Sequence, residues 1–197
     1  MPAKDNREYR TMSLVQPKVE GRRIDSDCYV EGYATTYSKP YVLVEIDGVK
    51  YQERIAPDAL VGADLSDVIF QYDHSGKVLA RKANGTLILE PGDQHGLFVA
   101  ADLSKSAEAR SLFEEIQNGL ITQMSWGFVV EKDEYDRATH TRTILKIKKV
   151  YDVSAVSIPA NADTSICARS YVEGVIDVEN REAAERRKQK IRILCNT

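Results

Sequence analysis

The chain has 197 residues, 43% hydrophobic and 29% charged, with a formal net charge of -3. That is the composition of a globular protein with one sizeable core, and no apolar run approaches the ~20 residues of a membrane span. The charge balance gives no reason to expect a nucleic acid or an anionic membrane as partner, and the opening MPAKDNREYR is too polar to read as a secretory signal.

Three widely separated cysteines, Cys28, Cys167 and Cys195, form no CxxC pair. An odd, scattered set argues against a disulfide framework or zinc knuckle and for a reducing cytosol. Asp73, His74 and His95 lack the spacing of a zinc motif, and no glycine-rich phosphate loop is present. No metal or other cofactor is expected.

Along the first 160 or so residues, short strands alternate with turn signals. YVEGYATTY (29–37) is rich in aromatic and β-branched residues, and VLVEIDGVKYQERI (42–55) holds Asp47-Gly48 between two apolar-alternating runs, a strong hairpin signal. APDALVG (56–62) reads as a short helix with Pro57 at its start and Gly62 at its end. DVIFQY (67–72), KVLARK (77–82), GTLILE (85–90) and GLFVAADL (96–103) are further strands, and Asn84-Gly85 is expected to close a second two-residue hairpin.

KSAEARSLFEEIQNG (105–119) is a helix by its stripe of Ala109, Leu112, Phe113, Ile116 and Leu120. Ser104 or Ser106 is its expected cap and Gly119 its expected stop. Strands resume with TQMSWGFVVEKDEY (122–135) and TILKIKKVYDVSAVSI (143–158), joined by a turn at DRATHTR (136–142). PANADT (159–164) ends them, since Pro159 cannot extend a central ladder. From about residue 175 the sequence becomes helix-forming and charged, with six Arg/Lys against three Glu over 179–192, most simply a solvated helix face. The fold expected is mainly β with a few packed helices (α+β), as a closed β-barrel or sandwich, followed by a C-terminal helix.

Alternation along 122–135 puts Met124, Trp126, Phe128 and Val130 on a core face and Ser125, Gly127 and Val129 on the other. A small hydroxyl beside a glycine could admit a substrate backbone, but Ser125 is equally a polar residue on a half-buried strand. His74, in YDHS (72–75), stands at a strand–loop junction, whereas His95 and His140 fall in turns. A histidine is the usual base for activating serine near neutral pH. Asp152 opens a run of small and apolar residues, where it could orient such a base or simply face water and pair with Lys148 or Lys149.

The segments VEGYATTY, ERIAPDAL, YDHS, GTLIL, GLFVAADL, NGLITQMSWGF and YDVSAVSIPAN, in this order, resemble the prohead maturation proteases of tailed bacteriophages. That family shares a fold and mechanism with the herpesvirus assemblins. The resemblance runs from about Tyr29 to Thr164. It implies a closed barrel of the herpesvirus-protease type, so the division expected is this barrel domain over 1–170 and the charged helical tail over 171–197. It implies a serine endopeptidase with Ser125 as nucleophile, His74 as general base and Asp152 as third member. His140 is the outside candidate, because the assemblins use a histidine there. Two positions depart from the family pattern: Asp73 and Ser75 flank the histidine where Asn and Asp are usual, and Asp152 stands where Glu is common. The implied substrates are phage capsid protein, scaffold segments and the protease itself, cleaved inside the assembling prohead in the bacterial host cytoplasm, with a homo-oligomer as the working form. Backbone N–H groups near Gly127 or after Asn161 are candidate oxyanion donors. The alternatives are a catalytically inactive member serving as a scaffold or binding module, and a hydrolase of small esters or amides.

Overall fold

The computed structural model describes residues 7–13, 21–157 and 166–195, and the statements that follow concern these residues. Local turn chemistry accounts for the first hairpin. β1 (Glu8–Ser13) and β2 (Tyr29–Thr36) precede β3 (Tyr41–Ile46) and β4 (Val49–Ile55). The link between β3 and β4 is Asp47 and Gly48, at φ 52° and 79°, which suits a two-residue turn whose twist matches that of the strands. β5 (Ile69–Tyr72) and β6 (Ser75–Arg81) form the second hairpin; β7 (Leu87–Glu90) and β8 (Gly96–Asp102) follow. Helix α1 (Ala107–Gln117) leads into the two long strands β9 (Gln123–Asp136) and β10 (Thr141–Val156).

Seven strands make one sheet in the order β1-β9-β10-β4-β3, with β5 also pairing β10 and β6 pairing β5. Being 16 residues long, β10 runs antiparallel to β9 on one edge while its other edge takes β4 near Thr141–Ile144 and β5 near Asp152–Ala155, both parallel. At the margin, β1 runs antiparallel along the first half of β9, setting Tyr9 opposite Gly127 and Thr11 opposite Ser125. A buried ion network fixes it there. Arg10 donates to both carboxylate oxygens of Glu53 at 2.6 and 2.8 Å, and Arg142 bonds Glu8, Glu53 and Asp133. Burial pushes the Glu53 carboxyl up, and Arg10 and Arg142 more than reverse this, holding it below the usual carboxylate range.

The other sheet has the order β2-β8-β7, with every residue of β8 buried. Its Leu87, Leu89, Leu97, Val99 and Ala101 meet Met124, Trp126, Phe128 and Val153 of the large sheet in the main core. The class, mainly β with packed helices (α+β), is the one expected, with two α-helices among the described residues. No sheet closes into a barrel among the described residues; a single bridge between Tyr37 and Ile55 links the end of β2 to β4. The expected hairpin at Asn84-Gly85 also does not form. A turn of 3-10 helix over Lys82–Asn84, with Gly85 at φ 75°, swings the chain from the large sheet to the small one, so β6 pairs β5 and β7 pairs β8.

APDALVG folds as successive turns instead of a helix, with Ala59 N–H donating to the Ala56 carbonyl and Val61 N–H to the Asp58 carbonyl. Helix α1 follows its stripe as far as Ile116. Ser106 is the cap, its Oγ accepting from Ala109 N–H at 3.1 Å, and Ala109 and Leu112 are buried. Leu120 is 72% exposed, because the helix ends at Gln117 and Gly119, at φ 72°, turns the chain away. Helix α2 (Ile166–Cys195) begins earlier than its charged run suggested, because Val172 packs against Val44 and Tyr51 of the β3–β4 hairpin. Glu182 is held by Arg137 in two hydrogen bonds, and the residues 183–190 beyond it are exposed.

Candidate active site

The site is built on the face of β9 and β10 turned away from the main core. Trp126 and Phe128 point inward as expected, which turns Ser125 and Gly127 the other way. On β10 simple alternation would fail, since Val150 belongs to the core and would carry Asp152 and Ser154 inward with it. A bulge intervenes. Val150 stands opposite Phe128 and Asp152 opposite Gly127, leaving Tyr151 as the extra residue. Past the bulge Val153 and Ala155 face the core, and Asp152 and Ser154 join Ser125 and Gly127 on the site face.

His74 arrives from the β5–β6 turn. Tyr72 and Ser75 close the hairpin, and Asp73 and His74 occupy the turn at φ 47° and 54°. Two consecutive L-residues in this region are strained, by roughly 1–2 kcal/mol each, and less for a residue such as Asp. Asp73 offsets that strain by tying the turn to β10. Its N–H donates to the Ala155 carbonyl at 3.0 Å, while its carboxylate accepts from Ser157 N–H at 2.9 Å and Ser157 Oγ at 2.7 Å. The turn therefore carries His74 over Ser125 and Asp152.

The three side chains form one hydrogen-bonded line. His74 Nδ1 lies 2.5 Å from Asp152 Oδ1, and His74 Nε2 lies 2.6 Å from Ser125 Oγ. An ionised carboxylate only accepts, so Nδ1 carries the proton and Nε2 accepts from the Ser125 hydroxyl. Ser154 Oγ stands 3.2 Å from the same Nδ1. Ser125 is 0% exposed, and 19% of the His74 side chain reaches solvent. The other Asp152 oxygen, Oδ2, is buried without a hydrogen-bond partner and lies against Gly127. A Cβ at Gly127 would sit 2.5 Å from that oxygen and 2.8 Å from Tyr9 Cε1. The space beside Ser125 that the sequence suggested for a substrate is thus taken by the Asp152 carboxylate and the Tyr9 ring.

Other candidates lie elsewhere. His140 closes the β9–β10 turn, bonded through Nδ1 to Tyr135 Oη at 3.0 Å and near the Tyr51 ring; it is roughly 40 Å of extended strand from Asp152. His95 is exposed beside Asp93. Lys149 pairs with Asp64 at 2.8 Å, not with Asp152. Gly127 stands between two paired strands, so its amide belongs to the ladder rather than to a substrate oxyanion. Pro159 and Asn161 lie outside the described residues. Sequence reasoning missed Tyr9, whose ring centroid is 4.4 Å from that of His74. It also missed Ser154 and the anchoring role of Asp73. Only Ser154, two residues after Asp152 in a strand, carried a usable signal.

Comparison with known proteins places the chain in a family. The family model described as Caudovirus prohead serine protease matches residues 16–175. The prohead protease of Enterobacteria phage HK97 is 34% identical over 92 residues, 45% of this chain and 41% of that protein. That of Escherichia phage T5 is 31% identical over 98 residues, 50% of this chain and 43% of that protein. The chain thus spans less than half the length of these curated relatives, and no solved structure matches it. A family match over most of the chain leaves a plain conclusion: the chain belongs to the caudovirus prohead serine proteases.

Proposed function

We propose that the chain is a serine endopeptidase of phage capsid maturation, with Ser125 as nucleophile, His74 as general base and Asp152 as the group that orients and stabilises the base. The observation that carries the reading is the line Asp152–His74–Ser125, with links of 2.5 and 2.6 Å. As Oγ attacks a peptide carbonyl, its proton passes to Nε2, and Asp152 stabilises the imidazolium that forms. The proton then goes to the departing amine, the C–N bond breaks, and an acyl-enzyme remains on Oγ. Water, deprotonated by the same His74, releases it. Because Ser125 is buried, acylation requires the side chains around it to shift enough to admit the carbonyl.

The substrates in this reading are the phage major capsid protein and scaffold segments, with the protease's own chain as a further one, cut inside the assembling prohead in the bacterial host. Helix α2 beyond Glu182 serves as a tether to scaffold or capsid, or as a segment removed by self-cleavage. A homo-oligomer is the working form. The inactive-module alternative called for a His74 out of reach of Ser125, and the 2.6 Å separation counts against it. The test is co-expression with the matching capsid protein. Wild type processes it, and Ser125→Ala and His74→Ala do not; unchanged processing in either variant would overturn the assignment.

A further inference from the structure

The N-terminal strand β1 lies before residue 16, where the family match begins, yet it runs beside the strand that carries Ser125. Tyr9, in this strand, meets the imidazole of His74 at a ring-centroid distance of 4.4 Å and an interplanar angle of 59°. Tyr9 stands opposite Gly127, and the missing Cβ of that glycine leaves the room its ring occupies. The phenol oxygen points elsewhere, accepting from Arg7 Nη1 at 3.4 Å. The ring, not the hydroxyl, is therefore what touches the base.

We infer that Tyr9 is a positioning residue for His74: its ring is one wall of the slot that keeps the imidazole between Asp152 and Ser125. This rests on the proposed roles of Ser125 and His74. His74 needs such a wall because it sits on a strained two-residue turn and is partly exposed, so its ring has a free side. A wall must not move, and β1 is secured on both sides of Tyr9. Arg10 is buried against Glu53, and Glu8 accepts from Arg10 and from both terminal nitrogens of Arg142. Breaking such a buried pair leaves an uncompensated buried charge, which argues against β1 as a strap released during turnover. The N-terminal strand thus completes the site.

The rate of Ser125 modification by a fluorophosphonate tests this without knowledge of the cleavage sequence. Oγ forms a bond to phosphorus, the P–F bond breaks, fluoride leaves, and the hydroxyl proton passes to His74. In Tyr9→Ala the limiting rate at saturating probe should fall on the order of tenfold, with half-saturation little changed, while Tyr9→Phe restores it to within about twofold of wild type. Thermal melting checks that each variant is folded. Tyr9→Leu, which keeps an apolar side chain of some bulk, decides the matter if Tyr9→Ala does not fold, and it should remain slow. A wild-type rate in Tyr9→Ala or Tyr9→Leu, or a slow Tyr9→Phe, would overturn the positioning role. If wild-type Ser125 is not modified at all, the reading of the site fails, and the role of Tyr9 falls with it.

Discussion

Gly127→Ala adds one methyl group to the most crowded point of the site. The new Cβ would lie 2.5 Å from Asp152 Oδ2, 3.2 Å from its Cγ and 2.8 Å from Tyr9 Cε1. An ordinary contact needs about 3.4 Å, so the Asp152 carboxylate would have to retreat by nearly 1 Å. Its bond to His74 Nδ1 starts at 2.5 Å, and a retreat of that size stretches it to about 3.4 Å, past the usual range of about 2.7–3.2 Å. A displacement of about 1 Å in a catalytic constellation is worth on the order of 100-fold in rate. Overpacking costs about 1–3 kcal/mol, or a melting temperature lower by roughly 2–12 °C. The assay pairs kcat and KM on a capsid-derived substrate with thermal melting. A folded Gly127→Ala enzyme with wild-type kcat would refute the claim that this glycine exists to seat Asp152.

Asp152→Asn should lower kcat by roughly 10²–10⁴-fold with KM little changed, as expected when a histidine loses the anion that sets its tautomer, whereas His140→Ala should stay near wild type; the reverse ranking would move the third role to His140. Asp73→Ala removes both carboxylate bonds to Ser157 and should cost about 1–3 kcal/mol in a denaturant melt, together with lower activity, whereas Asp73→Asn, which tolerates the same backbone region, should lose less. The depressed Glu53 carboxyl contributes stability that is complete above the ordinary carboxylate range, near pH 4.3, and is lost as the pH falls through its lower folded-state value. Glu53→Gln should therefore lower the melting temperature at pH 7 and flatten its fall on the acid side; an unchanged acid slope would count against the buried network.

The parts of the fold that follow from local chemistry were legible in the sequence. Asp47-Gly48 announces its hairpin, the stripe from Ala109 to Ile116 its helix, and the alternation of Met124, Trp126 and Phe128 the face opposite Ser125. The parts set by non-local pairing were not. Nothing near Asn84-Gly85 says that β7 prefers β8 in another sheet, so a good turn signal gave the wrong partner. The bulge at Tyr151 cannot be read from VYDVSAV, although it alone brings Asp152 to the site side of the sheet. β1 was hidden because Glu8 and Arg10 look like solvated charges until Glu53 and Arg142 are placed around them. Asp73 stood out only as a departure from the family pattern, and it is the side chain that ties the histidine's turn to β10. The resemblance supplied the pairing of Ser125 with His74, which alternation and composition could not have favoured unaided.

The central claim is that Ser125 is a nucleophile activated by His74, and mapping a fluorophosphonate adduct tests it most directly. Trypsin releases residues 111–132 as one peptide containing Ser111 and Ser125, and fragmentation distinguishes the two. Ser125 should carry the adduct in the wild-type protein and none in His74→Ala. An adduct on another residue, or an equal yield at Ser125 in His74→Ala, would contradict it.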